Sequence, residues 1–231
     1  MKFLKRALVA SFAALALSVG PAVSAEAASM SFDVTKLSAT NMVISNDNCK
    51  YFTVYLKYKK DNVGYWSVDS EIAGRHGSTT EAYFGSYKNP STKDRNMICP
   101  SLDGLGKYRI GPSEVSVDND HSWDAFTDHT KGYFYVRGKS YASLSSKRKG
   151  RTVTLASSTK VYHPEHYGKI KYSPKVKFQV KSGSKWKTLK TVSAKKGTAT
   201  YKLKSKSKKY YRVTFSQVSW ATGATSKSVK R

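Results

Sequence analysis

The densest group of side chains able to do chemistry is Asp118-Asn119-Asp120-His121, followed by Asp124, Asp128 and His129. Grouped oxygen ligands of this kind suit Ca²⁺, a hard cation that takes six to eight of them. Asp118, Asp120, Asp124 and Asp128 are the calcium candidates. The spacing departs from an EF-hand loop, because the sixth position is not Gly and His129 stands where a bidentate Glu belongs. Asp, Asn and His also populate ordinary polar turns. His163-Pro164-Glu165-His166 places three further ligand types side by side. A Pro-containing loop does not set them on one helix face as a zinc hydrolase does, so a surface loop is the expectation. No G-x-S-x-G elbow, phosphate-binding glycine loop or H-E-x-x-H is present. With five His in 231 residues, no catalytic residue is assigned, no cofactor is called for, and a non-enzymatic protein is expected.

Cys49 and Cys99 are the two cysteines. They cannot complete a tetrahedral zinc site, and no His lies at ligand spacing beside them. The N-terminus argues for export instead. Lys2, Lys5 and Arg6 precede an apolar run from Ala7 to Val19, Gly20-Pro21 breaks it, and small residues follow around Val23-Ser24-Ala25 and Ala25-Glu26-Ala27. That order is a secretory signal peptide, here residues 1–27. An oxidising compartment turns two cysteines into a disulfide. Closing a loop of this size stabilises the fold by roughly 4 kcal/mol on the chain-entropy argument. No later stretch is apolar enough for a membrane span, and there is no lipidation Cys near the cleavage site. The mature chain is expected to be secreted, free in the medium or held at a cell wall.

Charge divides the mature chain. Residues 28–137 hold 13 Lys and Arg and 13 Asp and Glu, and are neutral; residues 138–231 hold 25 Lys and Arg and one acid, Glu165, a net of +24. So sharp a shift marks two modules, 28–137 and 138–231. The stretch from Gly138 to Gly150 is rich in Ser, Gly and Lys and reads as a linker or the start of a first strand.

The elements that hold these residues are β-strands. Lys175 to Lys181 alternates apolar and polar side chains, as do Ala199 to Lys204 and Tyr211 to Phe215. Trp186 to Val192 is another strand, with an irregularity around Leu189 that suits a bulge. Val153 and Leu155 precede them, and Ser226 to Lys230 follows. In the first module, residues 50–60, 63–68, 108–110, 115–117 and 133–136 are strand candidates. The expected fold class is all-β: two antiparallel β-sandwich, immunoglobulin-like modules after a cleaved signal peptide. Cys49, Trp66 and Cys99 loosely follow the immunoglobulin Cys…Trp…Cys order. Met97 stands where a tyrosine corner would place its Tyr, two residues before the second Cys, so by that spacing the corner is missing.

The segments Gly150–Leu155, Lys175–Val180, Trp186–Val192, Gly197–Tyr201 and Tyr211–Phe215, led in by Phe134–Arg137, resemble the immunoglobulin-like β-sandwich repeats of secreted actinobacterial proteins. The resemblance covers roughly residues 132–231. It implies a carrier, adhesion or wall-associated unit and supplies no catalytic residues.

A charge of +24 on about 90 residues repels itself, which a polyanion would relieve. Lys175, Lys177, Lys181, Lys187, Lys190, Lys202, Lys204 and Arg212 are the expected polyanion-binding residues, and they are expected to lie together on one water-facing sheet surface. The partner would be teichoic acid, an acidic glycan or extracellular DNA. Lys outnumbers Arg, which suits binding by charge density rather than base readout. A basic surface kept for solubility and for guarding sheet edges is the plainer reading. Two rival functions remain: a carbohydrate-binding module stacking sugars on exposed rings, with Trp66, Tyr83, Trp123 and Trp186 as candidates, and a secreted effector or inhibitor with a protein partner.

Overall fold

A computed structural model describes residues 29–87 and 90–231; the leader read in residues 1–27 lies outside the described residues. The first sandwich runs through β1 (Ser31–Ala39), β2 (Met42–Ile44), β3 (Lys50–Asp61), β4 (Tyr65–Gly74), β5 (Gly77–Gly85), β6 (Lys93–Ile98), a one-turn helix α1 (Pro100–Asp103), β7 (Gly106–Asn119), β8 (Ser122–Asp128) and β9 (Gly132–Gly138). One sheet has the order β1-β3-β6, and the other β2-β9-β7-β4-β5, with β8 beside the second half of β7. All pairs are antiparallel except β2 with β9. The alternation read in residues 50–60 turns Phe52, Val54 and Leu56 inward against Trp66, Val68 and Ile72 of β4. Phe134 stacks at 5.1–5.2 Å on Phe52 and Tyr108 to close the core.

One expectation about this half holds and one changes. The expected Cys49–Cys99 disulfide forms, within a single sheet. Its cysteines flank the Lys50–Ile98 pair at the end of the β3–β6 ladder. Trp66 is buried against Phe32 and Tyr58. The tyrosine corner is present after all. Tyr108, near the start of β7, is fully buried, and its hydroxyl lies 2.7 and 2.8 Å from the Asp103 and Gly104 carbonyl oxygens, to which it donates. Spacing counted back from Cys99 missed it because Cys99 closes β6, on the other side of α1.

The second sandwich comprises β10 (Ser140–Lys149), β11 (Thr152–His163), a 3₁₀ turn (Pro164–His166), β12 (Gly168–Lys171), β13 (Lys175–Ser182), β14 (Lys185–Ser193), β15 (Thr198–Lys204), β16 (Tyr210–Phe215), β17 (Ala224–Thr225) and β18 (Val229–Lys230). β11 is flanked by β10 on one side and by β15 and β12 on the other. The facing sheet has the order β14-β13-β16, with β17 and β18 completing its far edge. Val153, Leu155, Val176, Phe178, Tyr211 and Val213 are buried between them. The irregularity in β14 is a bulge at Leu189: Phe178 faces Lys190 while Gln179 faces Thr188.

Between β9 and β10 lies a single residue, Lys139, so the Ser-rich stretch is strand and not linker. The two sandwiches are stitched together here. The Gly138 amide donates to the Trp220 carbonyl and the Thr222 amide to the Gly138 carbonyl, while the Lys139 amide reaches Ile44. The Ser140 amide donates to Thr222 Oγ1 and Arg137 Nε to the Val218 carbonyl. Tyr162 of β11 and Trp220 pack into the first sandwich's core.

Candidate functional site

The eight expected polyanion contacts are not on one face. β13 turns Val176, Phe178 and Val180 inward, so Lys175, Lys177 and Lys181 point out from the β13 sheet. Arg212 is on that face too. Its guanidinium lies 4.2 Å over the Trp186 ring, and its Nε donates to Gln179 Oε1 at 2.8 Å. Lys202 and Lys204 belong to the opposite surface. With Lys147 and Lys149 they make two cross-strand rungs, Lys149-Thr152-Lys204 and Lys147-Thr154-Lys202. Lys187 and Lys190 sit opposite Val180 and Phe178, which puts them on the core-facing side of edge strand β14, where they remain exposed. The bulge at Leu189 sets that orientation. The basic surface therefore surrounds the second sandwich instead of forming one plate.

Among the described residues, ion pairs join Arg75 and His76 to Glu165, each at 3.7 Å, and Arg109 to Glu71. The single acid of residues 138–231 thus faces the neutral half, and no lysine or arginine of those residues is paired.

The calcium candidates are not brought together. Asp118 and Asp128 lie at opposite ends of the β7–β8 ladder, opposite Trp123 and Ser113. Asp128 is occupied structurally, accepting the Val34 and Thr130 amides. Asp124 accepts the Ala125 amide. Asn119 Oδ1 accepts the His121 and Ser122 amides and so builds the hairpin turn containing Asp120. No group of three or more His, Cys, Asp or Glu able to hold a metal ion exists among the described residues.

His163-Pro164-Glu165-His166 forms the 3₁₀ turn at the seam, not a free surface loop. The His163 ring packs at 5.0 Å on His166 and 6.1 Å from Trp220. It borders a cleft of about 420 Å³ with Arg75, Leu105, Lys107 and Trp220. Its Nδ1 is buried without a hydrogen-bond partner. Burial holds its pKa below the usual histidine range, with His166 and Arg75 adding to the effect and Glu165 opposing it.

The aromatic candidates divide. Trp66 is core, and Trp186 is half-buried under Arg212. Tyr83 and Trp123 are 57% and 67% exposed and border one groove. Tyr65 and Tyr87, which no motif or spacing distinguishes among sixteen tyrosines, border it as well.

No protein-family model matches the chain, and no curated protein matches it significantly by sequence. Among solved structures, it is similar to β-glucuronidase 3 of Bacteroides uniformis at 11% identity and a TM-score of 0.28, over 84% of this chain and 24% of that one. It thus spans about a quarter of that enzyme's length. The D0-D1 domain of intimin matches at 18% identity and a TM-score of 0.26, over 85% of this chain and 97% of that one. The amphioxus IgVJ-C2 molecule matches at 10% and 0.33, over 82% and 98%. At these values the likeness says nothing of ligand or activity, and the sandwich fold stands on the strand pairing above.

Proposed function

We propose that this is an exported binding protein, not an enzyme, whose second sandwich holds it on anionic extracellular polymers by charge density. The observation that carries the reading is the uncompensated field: 25 basic residues against one acid, that acid being turned to the other module. The disulfide supports export, since such bonds persist in oxidising compartments. The resemblance of residues 132–231 to wall-associated repeats fits the same role.

The distribution of lysines refines the partner. A flat surface could meet one sheet face at a time. A flexible polymer, or a meshwork of teichoic acid, acidic glycan or DNA, can meet both faces and the β14 edge together. Exposed lysines contact phosphates and carboxylates as point charges, so binding is set by salt and not by sequence. The test is a salt titration of the full mature chain on cell envelopes with and without teichoic acid, and on heparin. Release in moderate salt, and reduced retention without teichoic acid, support the reading. Retention that ignores salt overturns it.

A further inference from the structure

We infer that the groove on the outer face of the β4–β7 sheet is a carbohydrate site that takes a neutral, extended oligosaccharide. The site is separate from the basic surface and lies in the other sandwich.

The groove is built by register. On one rung, Tyr65 of β4 and Trp123 of β8 flank Asp118 of β7. The next outward rung is Gly85-Ser67-Ser116-Ala125, four small residues side by side on β5, β4, β7 and β8. The rung beyond is Tyr83-Asp69-Glu114-Thr127. Small residues thus make a floor, and aromatic rings stand on both sides of it. Tyr83 leans over that floor, because a Cβ on Gly85 would meet its hydroxyl at 3.3 Å. Ser86 fixes the end where β5 leaves the sheet: its Oγ accepts the Trp66 amide at 2.8 Å. The cavity is about 340 Å³, within the size of ordinary small-ligand clefts.

Sugars present C–H faces that stack on aromatic rings and hydroxyls that need donors and acceptors. The groove supplies both, through its rings and through Ser67, Ser116 and Asp118. Four large exposed rings in one place are otherwise unfavourable on a soluble surface. Among the described residues no basic side chain borders the groove, while Asp118 lines it and Asp69 and Glu114 stand on the adjoining rung, which argues against an acidic sugar. A quaternary ammonium needs rings closed around one point. Here Tyr65 and Trp123 are two interstrand spacings apart, about 10 Å, and Tyr83 lies one strand further out. Such a spread suits a chain of pyranose units.

The experiment is calorimetric titration of the mature chain with cellohexaose, xylohexaose, mannohexaose and chitohexaose. It is run at about 0.5 M NaCl, where exposed charges are screened over a few ångströms and the polyanion surface is silent. At least one of these sugars is expected to bind, with a change in tryptophan emission. Trp123→Ala and Tyr83→Ala should each weaken it tenfold or more, and Gly85→Val should do the same by filling the floor. Tyr83 and Trp123 are exposed, and unchanged melting of their variants shows that the sandwich is intact. Lys175→Gln with Lys177→Gln should leave binding unchanged. Failure of all four sugars to bind, or equal binding by Trp123→Ala, overturns the inference, as does a preference for trimethyl-lysine. Salt-dependent retention on polyanions is read separately and is untouched by any of these results.

Discussion

Two buried side chains show how single residues set stability here. The Tyr108 hydroxyl satisfies the carbonyls of Asp103 and Gly104 at the turn into β7. Burial, aided by Asp103, pushes its pKa far above the usual tyrosine range, so it remains a donor at every workable pH. Tyr108→Phe leaves those carbonyls unpaired. It should cost about 1–3 kcal/mol in urea unfolding and leave binding intact. His163 behaves in the opposite way with pH. Its folded pKa is lowered by burial, so below about pH 6.5, the ordinary histidine value, the unfolded chain binds the proton more readily. Stability is therefore fully present above that pH and falls as pH drops through it. His163→Gln should flatten this part of a plot of urea midpoint against pH; an unchanged slope assigns the loss to other groups. Neither role was legible in the sequence. Tyr108 is one of sixteen tyrosines, and it is singled out only by the turn that α1 makes. His163 sits in a run that looks like a loop until Trp220, far along the chain, packs beside it.

At the level of strands, legibility followed burial. β3, β13, β15 and β16 have one face in a core and one in water, so their alternation could be read directly. β5, β6 and β8 could not. They bury few side chains, are rich in Ser, Thr and charge, and owe their existence to backbone pairing with β4, β3 and β7. The aromatic groove was hidden for that reason: two of its four strands, β5 and β8, were unseen, so Tyr83 and Trp123 had no known neighbours. β14 is the instructive case between these extremes. The irregularity at Leu189 is visible in the sequence, but only the register shows that Lys187 and Lys190, on either side of it, lie on the core-facing side. Inward-pointing lysines on an edge strand block pairing with another chain. Lys187→Val with Lys190→Val should therefore produce dimers or larger species in light scattering. Lys202→Gln with Lys204→Gln, whose side chains face water and not the core side of their strand, should stay monomeric.

For the whole molecule, the charge step near residue 138 was legible because it is a matter of counting, while the seam it marks was not. A sequence rich in Ser, Gly and Lys reads as a linker or as the start of a strand, and the second holds: only Lys139 separates β9 from β10. Gly138 explains why the joint is tight. A Cβ there would overlap the Tyr162 carbonyl oxygen and press on Leu105 and Val161, while both its amide and its carbonyl are used across the joint. Since Tyr162 is buried in the first sandwich's core, unfolding one sandwich strips contacts from the other. The wild-type chain should then unfold in one cooperative step. Gly138→Ala forces the two sandwiches apart, at a cost of about 1–3 kcal/mol for overpacking, and should split that step in two. Emission from Trp220, at the seam, would change in the earlier transition. The near-ultraviolet signal of the Cys49–Cys99 sandwich would follow in the later one, since the disulfide constrains its unfolded state. Coincident transitions in the variant would mean that the coupling runs through something other than this joint.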